Sequence, residues 1–367
     1  MPGLKDYALV AAVAACTTFG CTALVRRFAV AIGAVVAPDE RRVHTRPTPT
    51  LGGAAMFAGL LAGMFTAWRL DAFDEVFSAS SEPLGVLLAA TVMFSVGVLD
   101  DLRECSAPAK LSGMVLSGSV LYLLGVTMFH FRIPFMGLVV LGPDLQPLVT
   151  VLWVVGMANA VNLIDGLDGL AAGIVAIASG AYFLYSSRLV HVELLGPDSI
   201  SPLVCVIVLG MCVGFLPHNF NPARIFMGDC GALLLGLLMA ASTMVVGGRS
   251  DEAFSGQTYF FFAPLFIPLL ILGVPVLDTA FAIVRRATRR AGISTADKQH
   301  LHHRLMHMGH GQRRSVLILW LWTAILSGFV LYPTYTSEGD AVVPFGIAAI
   351  CLALYTLFHP GVRRART

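Results

Sequence analysis

Residues 146–187 read QPLVTVLWVVGMANAVNLIDGLDGLAAGIVAIASGAYFLYSS. Two apolar runs, 146–163 and 169–187, are each close to the roughly 20 residues that a helix needs to cross a bilayer. Between them Asn159, Asn162, Asp165 and Asp168 crowd together with Gly166 and Gly169. Further apolar windows fall at 7–25, 51–69, 83–99, 109–127, 202–220, 230–248, 259–284, 315–333 and 342–358, about eleven in all. The chain of 367 residues is 57% hydrophobic and 13% charged, with a mean hydropathy of +0.79, far from the composition of soluble domains. These features predict an all-α, polytopic integral membrane protein forming a single transmembrane domain over 1–367.

The charges orient it. With the N-terminus outside, 19 of the 24 Lys and Arg fall in loops after odd-numbered spans, which places those loops and the C-terminus in the cytoplasm. The basic excess is therefore topological; the net charge of +2 gives no reason to expect a nucleic-acid partner. The expected location is the inner or plasma membrane. Lys5 and Asp6 make a weak start for a signal peptide, so no cleaved leader is expected. Seven cysteines without a CxxC pair read as small apolar residues, not as a disulfide or zinc framework.

External loops are bland and internal ones are polar. LDDL (99–102) ends one span with Asp100 and Asp101, and Lys110 opens the next. Neighbours on a helix point about 100° apart, so one of these acids can face a cleft while the other supports it. Asn159, Asn162, Asp165 and Asp168 are spaced by three, which would align their oxygens on one helical face. NFNPARIFMGDCGALLLG (219–236) adds Asn219, Asn221 and Asp229; Asp229 could serve only as a helix N-cap. The segment after the ninth span holds His300, His302, His303, His307 and His310 with Arg304. Imidazoles one turn apart suit zinc, whereas the arginine suits phosphate. Oxygen donors together with cations suit Mg²⁺ and phosphoryl transfer at a cytoplasmic face, with a lipid as one substrate. Within the spans, Asp278 and His218 are the ionisable groups, both toward inner ends, which weighs against a transporter.

LDDL with Lys110, NAVNLIDGLDGLAAG (159–173), NFNPARIFMGDCGALLLG and HLHHRL (300–305), preceded by RRVHTRPTPTLGG (41–53), together resemble the polyprenyl-phosphate N-acetylhexosamine-1-phosphate transferases, glycosyltransferase family 4. The resemblance implies a sugar-phosphate transferase of about eleven spans with a cytoplasmic active site. It implies transfer of N-acetylglucosamine 1-phosphate from UDP-GlcNAc to a polyprenyl phosphate, releasing UMP with Mg²⁺ or Mn²⁺ and initiating a cell-envelope polysaccharide. Carried over by motif, Asn162 and Asp229 would ligate the metal, and Asp100 or Asp101 would be the catalytic or acceptor-orienting acid. Lys110 would touch phosphate; Asn159, Asp165, Asp168 and Asn219 would surround the nucleotide and metal. His300, His302, His303 and Arg304 would contact the donor.

HLHHRL is similar to the UDP-GlcNAc branch, and GHGQRRSVLILWLW (309–322) to actinobacterial members, so undecaprenyl or decaprenyl phosphate is the expected acceptor. Another UDP-N-acetylhexosamine, or UDP-MurNAc-pentapeptide, stays open as donor, and so does a homodimer. A flippase of lipid-linked sugars is the rival class. A CDP-alcohol phosphotransferase fits less well, because DGLDGLAAG lacks the arginine of its signature; an intramembrane aspartyl protease would need its two acids on facing spans.

Overall fold

In hydrocarbon the backbone must satisfy its own polar groups, and helices do so within one segment. The computed structural model describes residues 2–37, 47–133, 137–247, 305–306, 308–336 and 342–358. Its long helices are α1 (Leu4–Ala31), α2 (Gly53–Trp68), α4 (Glu82–Arg103), α5 (Ala107–Leu123), α6 (Leu145–Ile164), α7 (Leu170–His191), α8 (Ser201–Asn219), α9 (Gly228–Gly247), α10 (Gly311–Thr336) and α11 (Val342–Phe358). A short helix, α3 (Asp74–Ser78), follows a 3-10 turn at Asp71–Phe73. Two small antiparallel ribbons complete the described residues: β1 (Val35–Val36) with β2 (Thr48–Pro49), and β3 (His130–Ile133) with β4 (Gly137–Val140).

Among the described residues, seven helices are long and apolar enough to cross a membrane, and the count is eight if α2 and its bent continuation are taken as one span. The chain is a multi-pass membrane protein. Ten of the eleven expected spans coincide with a long helix; the ninth, 259–284 with Asp278, lies outside the described residues. Helix ends differ from expectation. Helix α1 runs for 28 residues, about 42 Å at 1.5 Å per residue, and so projects beyond a hydrocarbon core of about 30 Å. Helix α4 continues through Asp100 and Asp101 to Arg103.

Helix α9 is the hub. Its membrane window is 94% buried by protein, against 22% for α1, and it packs on α4, α6, α8 and α2. Glycines let it in. A Cβ at Gly97 of α4 would strike the Cys230 backbone, one at Gly53 of α2 the Gly231 backbone, and one at Gly236 would lie 2.5 Å from Ala158 Cα on α6. Close backbone approach through small residues is how membrane helices gain packing where water supplies no driving force. Outward, Phe19, Leu24 and Phe28 of α1 and Ile347, Ile350 and Leu354 of α11 are exposed apolar side chains that face lipid.

This packing predicts opposite outcomes for two glycines of the bundle. Gly236→Ala crowds Ala158 Cα and the Met157 carbonyl, an overpacking that costs about 1–3 kcal/mol and exceeds the helix-propensity gain of about 1 kcal/mol. Gly156→Ala meets nothing within 4 Å and should leave thermal stability in detergent equal or higher. Equal melting of the two variants would remove α9 as the tightly packed hub.

Candidate active site

The last turn of α4 divides labour between its adjacent acids. Asp101 faces the start of α9, where its Oδ1 accepts the Asp229 N–H at 2.9 Å and its Oδ2 the Cys230 N–H at 3.1 Å. The Thr50 hydroxyl stands 3.5 Å from Oδ1. Helix N-termini expose N–H groups without intrahelical partners and carry partial positive charge; Asp101 satisfies both needs from a neighbouring helix. Gly228 makes the approach feasible. It has φ +73°, and a Cβ there would collide with the Asp101 carboxylate and lie 2.6 Å from Thr50 Oγ1.

Asp100 turns the other way. Its Oδ1 accepts the Cys105 N–H at 2.8 Å and its Oδ2 accepts from Lys110 Nζ at 3.0 Å. Glu104, at φ +48°, ends α4, and the Ser106 hydroxyl caps α5 by accepting the Ala109 N–H. That tight connection lays Lys110, in the first turn of α5, back over the end of α4. Its ammonium also pairs with the Asp229 carboxylate. Asp100, Lys110 and Asp229 thus form a carboxylate, ammonium, carboxylate row, with 18%, 18% and 27% of their side-chain surfaces exposed.

Asn162 lies at the same end of the α6–α9 contact as this row. Ala158 meets Gly236 there; Asn162 lies four residues onward and Asp229 seven residues back, about one and two helical turns, so both return to the contacting face at the same end of the bundle. The Asn162 side chain is partly exposed and makes no hydrogen bond among the described residues. Asp165 follows as the residue after α6, its backbone at φ −76°, ψ 50°. Burial first, and then the nearby carboxylates of Asp101 and Asp168, push its carboxyl up to about 7.

The single oxygen-lined face expected over 159–168 does not form. Helix α6 stops at Ile164, and Gly169 at φ +78° opens α7, so Asp168 lies in a loop. Its Oδ2 accepts the Asn221 side-chain amide at 2.9 Å and the Ala223 N–H at 3.0 Å. Asn159 lies toward α5, with Nδ2 donating to the Val155 carbonyl at 2.7 Å and contacting Met114 Sδ. Asn219 is buried; its Oδ1 accepts the Gly169 N–H and its Nδ2 donates to the Ile225 carbonyl, each at 3.0 Å. It ties the loop before α7 to the loop before α9.

Asn221 extends this clasp, and two residues outside the sequence-derived set, Gln312 and Arg313, join it. Asn221 donates to Gln312 Oε1 at 2.7 Å, and Arg313 Nε donates to the Asn221 backbone and side-chain oxygens at 3.1 and 3.2 Å. Gln312 and Arg313 begin α10 immediately after the histidine segment, and GHGQRRS was the one signal that could have found them. His300, His302, His303, His307 and Arg304 lie outside the described residues. His310 is buried instead of facing the site, its Nε2 2.8 Å from the Thr356 carbonyl of α11.

Among the described residues, no three His, Cys, Asp or Glu gather as a metal cluster. The oxygen donors at this end of the bundle are Asn162, Asp165 and Asp229, with the Lys110 ammonium beside Asp229. A hard divalent cation held by one or two side chains and completed by substrate phosphates has this donor set.

Residues 83–247 match the family described as glycosyl transferase family 4, a segment that begins in α4 and ends with α9. The decaprenyl-phosphate N-acetylglucosaminephosphotransferase of Mycolicibacterium smegmatis is 38% identical over 98% of this chain and 90% of its own length. The protein of that name in Mycobacterium tuberculosis is 40% identical over the same shares. An undecaprenyl-phosphate alpha-N-acetylglucosaminyl 1-phosphate transferase of Thermotoga maritima is 30% identical over 77% of this chain and 76% of its own. With relatives this similar along nearly the whole chain, and with the matched segment containing Asp100, Lys110, Asn162 and Asp229, the chain belongs to glycosyl transferase family 4.

Proposed function

We propose that this protein transfers N-acetylglucosamine 1-phosphate from UDP-GlcNAc to a polyprenyl phosphate, releasing UMP and leaving a lipid-linked sugar that begins an envelope polymer. The observation that carries the reading is the Asp100, Lys110, Asp229 row at the mouth of α9, with helix periodicity bringing Asn162 to the same end of the bundle. An ammonium held between two partly exposed carboxylates can turn toward an incoming phosphate without leaving its helix, and membrane helices hold it where a lipid phosphate arrives. Decaprenyl phosphate is the acceptor we favour, because the mycobacterial relatives with 38–40% identity are named for it. The site faces the cytoplasm in this reading, in line with the excess of Lys and Arg in the loops on that side.

Asn162 and Asp229, with Asp165 beside them, fit Mg²⁺ or Mn²⁺ by donor type. When bound, the metal supplies charge neutralisation for the donor diphosphate. The chain's own groups do the rest. Lys110 lowers the repulsion between two phosphates, and Asp101 holds the α9 start against α4 so that Asp229 points into the site. In the reaction an acceptor phosphate oxygen bonds to the sugar-bearing phosphorus and the bond from that phosphorus to UMP breaks. A phosphate monoester with its second pKa near about 6 is already largely dianionic at neutral pH, so it needs no strong base. Both oxygens of Asp100 and both of Asp101 accept hydrogen bonds, which makes each a poor free nucleophile and supports direct attack over an aspartyl intermediate.

Purified protein with UDP-GlcNAc and decaprenyl phosphate should release UMP only with Mg²⁺ or Mn²⁺. Lys110→Gln should lower turnover by about 10²-fold or more, the scale of losing one charge-stabilising donor. Asp229→Asn and Asn162→Ala should abolish transfer while eluting as folded protein. Metal-independent release, or near-normal transfer by Asp229→Asn, would overturn the proposal. UMP released in a burst without acceptor would overturn direct attack alone.

Asp165 gives a pH test. Its folded-state pKa of about 7 lies above the ordinary 3.8, so the folded protein holds a proton that the unfolded chain has lost. Stability from this group is present below about 4 and declines as pH rises through 7. In EDTA, Asp165→Asn should therefore gain in melting temperature relative to wild type between pH 5 and 8, and Mg²⁺ at pH 8 should restore wild type more than the variant. Parallel melting curves across that range would refute the raised pKa of the Asp165 carboxyl.

A further inference from the structure

At the far end of α2 from the candidate site, α2 and α4 separate around an apolar cavity of about 480 Å³. Its walls are Leu61, Met64 and Phe65 of α2, Phe77 of α3, and Leu84 and Leu87 of α4. Closer to the site the same two helices touch, where Phe57 and Phe94 stack with ring centres 4.5 Å apart and planes 1° apart. The cavity therefore opens only beyond that stack.

Above it the chain turns sharply. The segment Asp71–Ser78 runs at 92° to α2, so if α2 crosses the bilayer this segment lies along the membrane plane. Phe73 and Val76 are buried beneath it while Asp71, Asp74 and Glu75 are exposed above, the two-faced arrangement of an interfacial element. Trp68 stands at the same level with 57% of its surface exposed, as aromatic residues do at a membrane interface. Arg69 adjoins it, its guanidinium 6.0 Å from the Trp68 ring centre. Arg69 makes no ion pair among the described residues.

We propose that this cavity binds one acyl chain of a zwitterionic aminophospholipid from the leaflet opposite the active site. Its phosphate would meet Arg69 and its ammonium the carboxylates of Asp71, Asp74 and Glu75. The volume lies in the range of small-molecule sites, lined by apolar walls with few polar groups at the rim. The charges select the headgroup. One cation serves a phosphodiester, while three exposed carboxylates repel a headgroup that is anionic overall and attract one that ends in an amine. The chain fills the gap between α2 and α4, and α2 carries Gly53 against the start of α9, so occupancy stabilises the helix on which the site leans.

The test uses the full chain in nanodiscs with phosphatidylethanolamine, phosphatidylglycerol or phosphatidylcholine carrying bromine on the acyl chains. Brominated phosphatidylethanolamine should quench the Trp68 emission, taken as wild type minus Trp68→Phe, more than the other two lipids do. Arg69→Gln should weaken this by about tenfold in affinity, the scale of one hydrogen bond to a charged group. Leu87→Phe, which fills the cavity, should abolish it. Equal quenching by all three lipids, undiminished quenching in Leu87→Phe, or displacement by decaprenyl phosphate would each overturn the assignment. Should a variant fail to fold, retention of phosphatidylethanolamine over phosphatidylglycerol by wild type in native mass spectrometry decides the headgroup preference.

Discussion

The structure depends on how the N-terminus of α9 is satisfied inside a membrane protein. A helix that begins within packed protein leaves N–H groups which water cannot reach, and each unsatisfied one costs several kcal/mol in an apolar setting. Asp101 meets two of them, those of Asp229 and Cys230, with its two oxygens. Because the acid belongs to α4, the bond fixes one helix to another as well as capping. The Gly52 and Gly53 N–H groups add two bonds to the Phe226 and Met227 carbonyls, and the Phe226 N–H returns one to Pro49. The segment before α2, the end of α4 and the start of α9 are thereby one hydrogen-bonded unit.

That unit explains why the chemical side chains need so little support of their own. Asp229 follows Gly228 directly, so its position is set through its own backbone N–H, held by Asp101. Lys110 is placed by the short connection after Glu104. Its two carboxylate partners keep it near the surface of the cleft without burying an unpaired charge, which would be strongly unfavourable. Partial exposure also leaves the row free to rearrange around phosphate, something a fully enclosed ion pair would resist.

The sequence revealed the helices because a span is a local property: twenty apolar residues suffice. It revealed Asp100, Lys110, Asn162 and Asp229 as candidates because polar residues at helix ends are conspicuous in so apolar a chain. It misread the face shared by Asn159, Asn162, Asp165 and Asp168, since a spacing of three holds only while the helix continues, and α6 stops at Ile164, before Asp165 and Asp168. The partners of Asp168 and Asn219 were illegible for another reason. Asn221 from Asp168, and Gly169 from Asn219, lie some fifty residues away, and no local pattern announces which loop an amide will grip. Gln312 and Arg313 are more distant still, 91 and 92 residues from Asn221.

The two kinds of contact follow from where they sit in the membrane. Deep in the bundle, helices meet through glycine and alanine, because dispersion between close backbones is what distinguishes protein from lipid there. Toward the site end, where α4, α6 and α8 end, the same helices are joined by carboxylates and amides bonded to backbone N–H groups. Helix termini concentrate unsatisfied donors and acceptors at that level, and a loop can be held only by meeting them. Polar residues placed to hold loops at an interface are also the residues that can reach a charged substrate. The density of polar side chains between the fifth and sixth expected spans therefore has two causes acting together: Asp168, with Asn219 at the end of α8, closes the scaffold, while Asn162 and Asp165 are left with oxygens that the scaffold does not use.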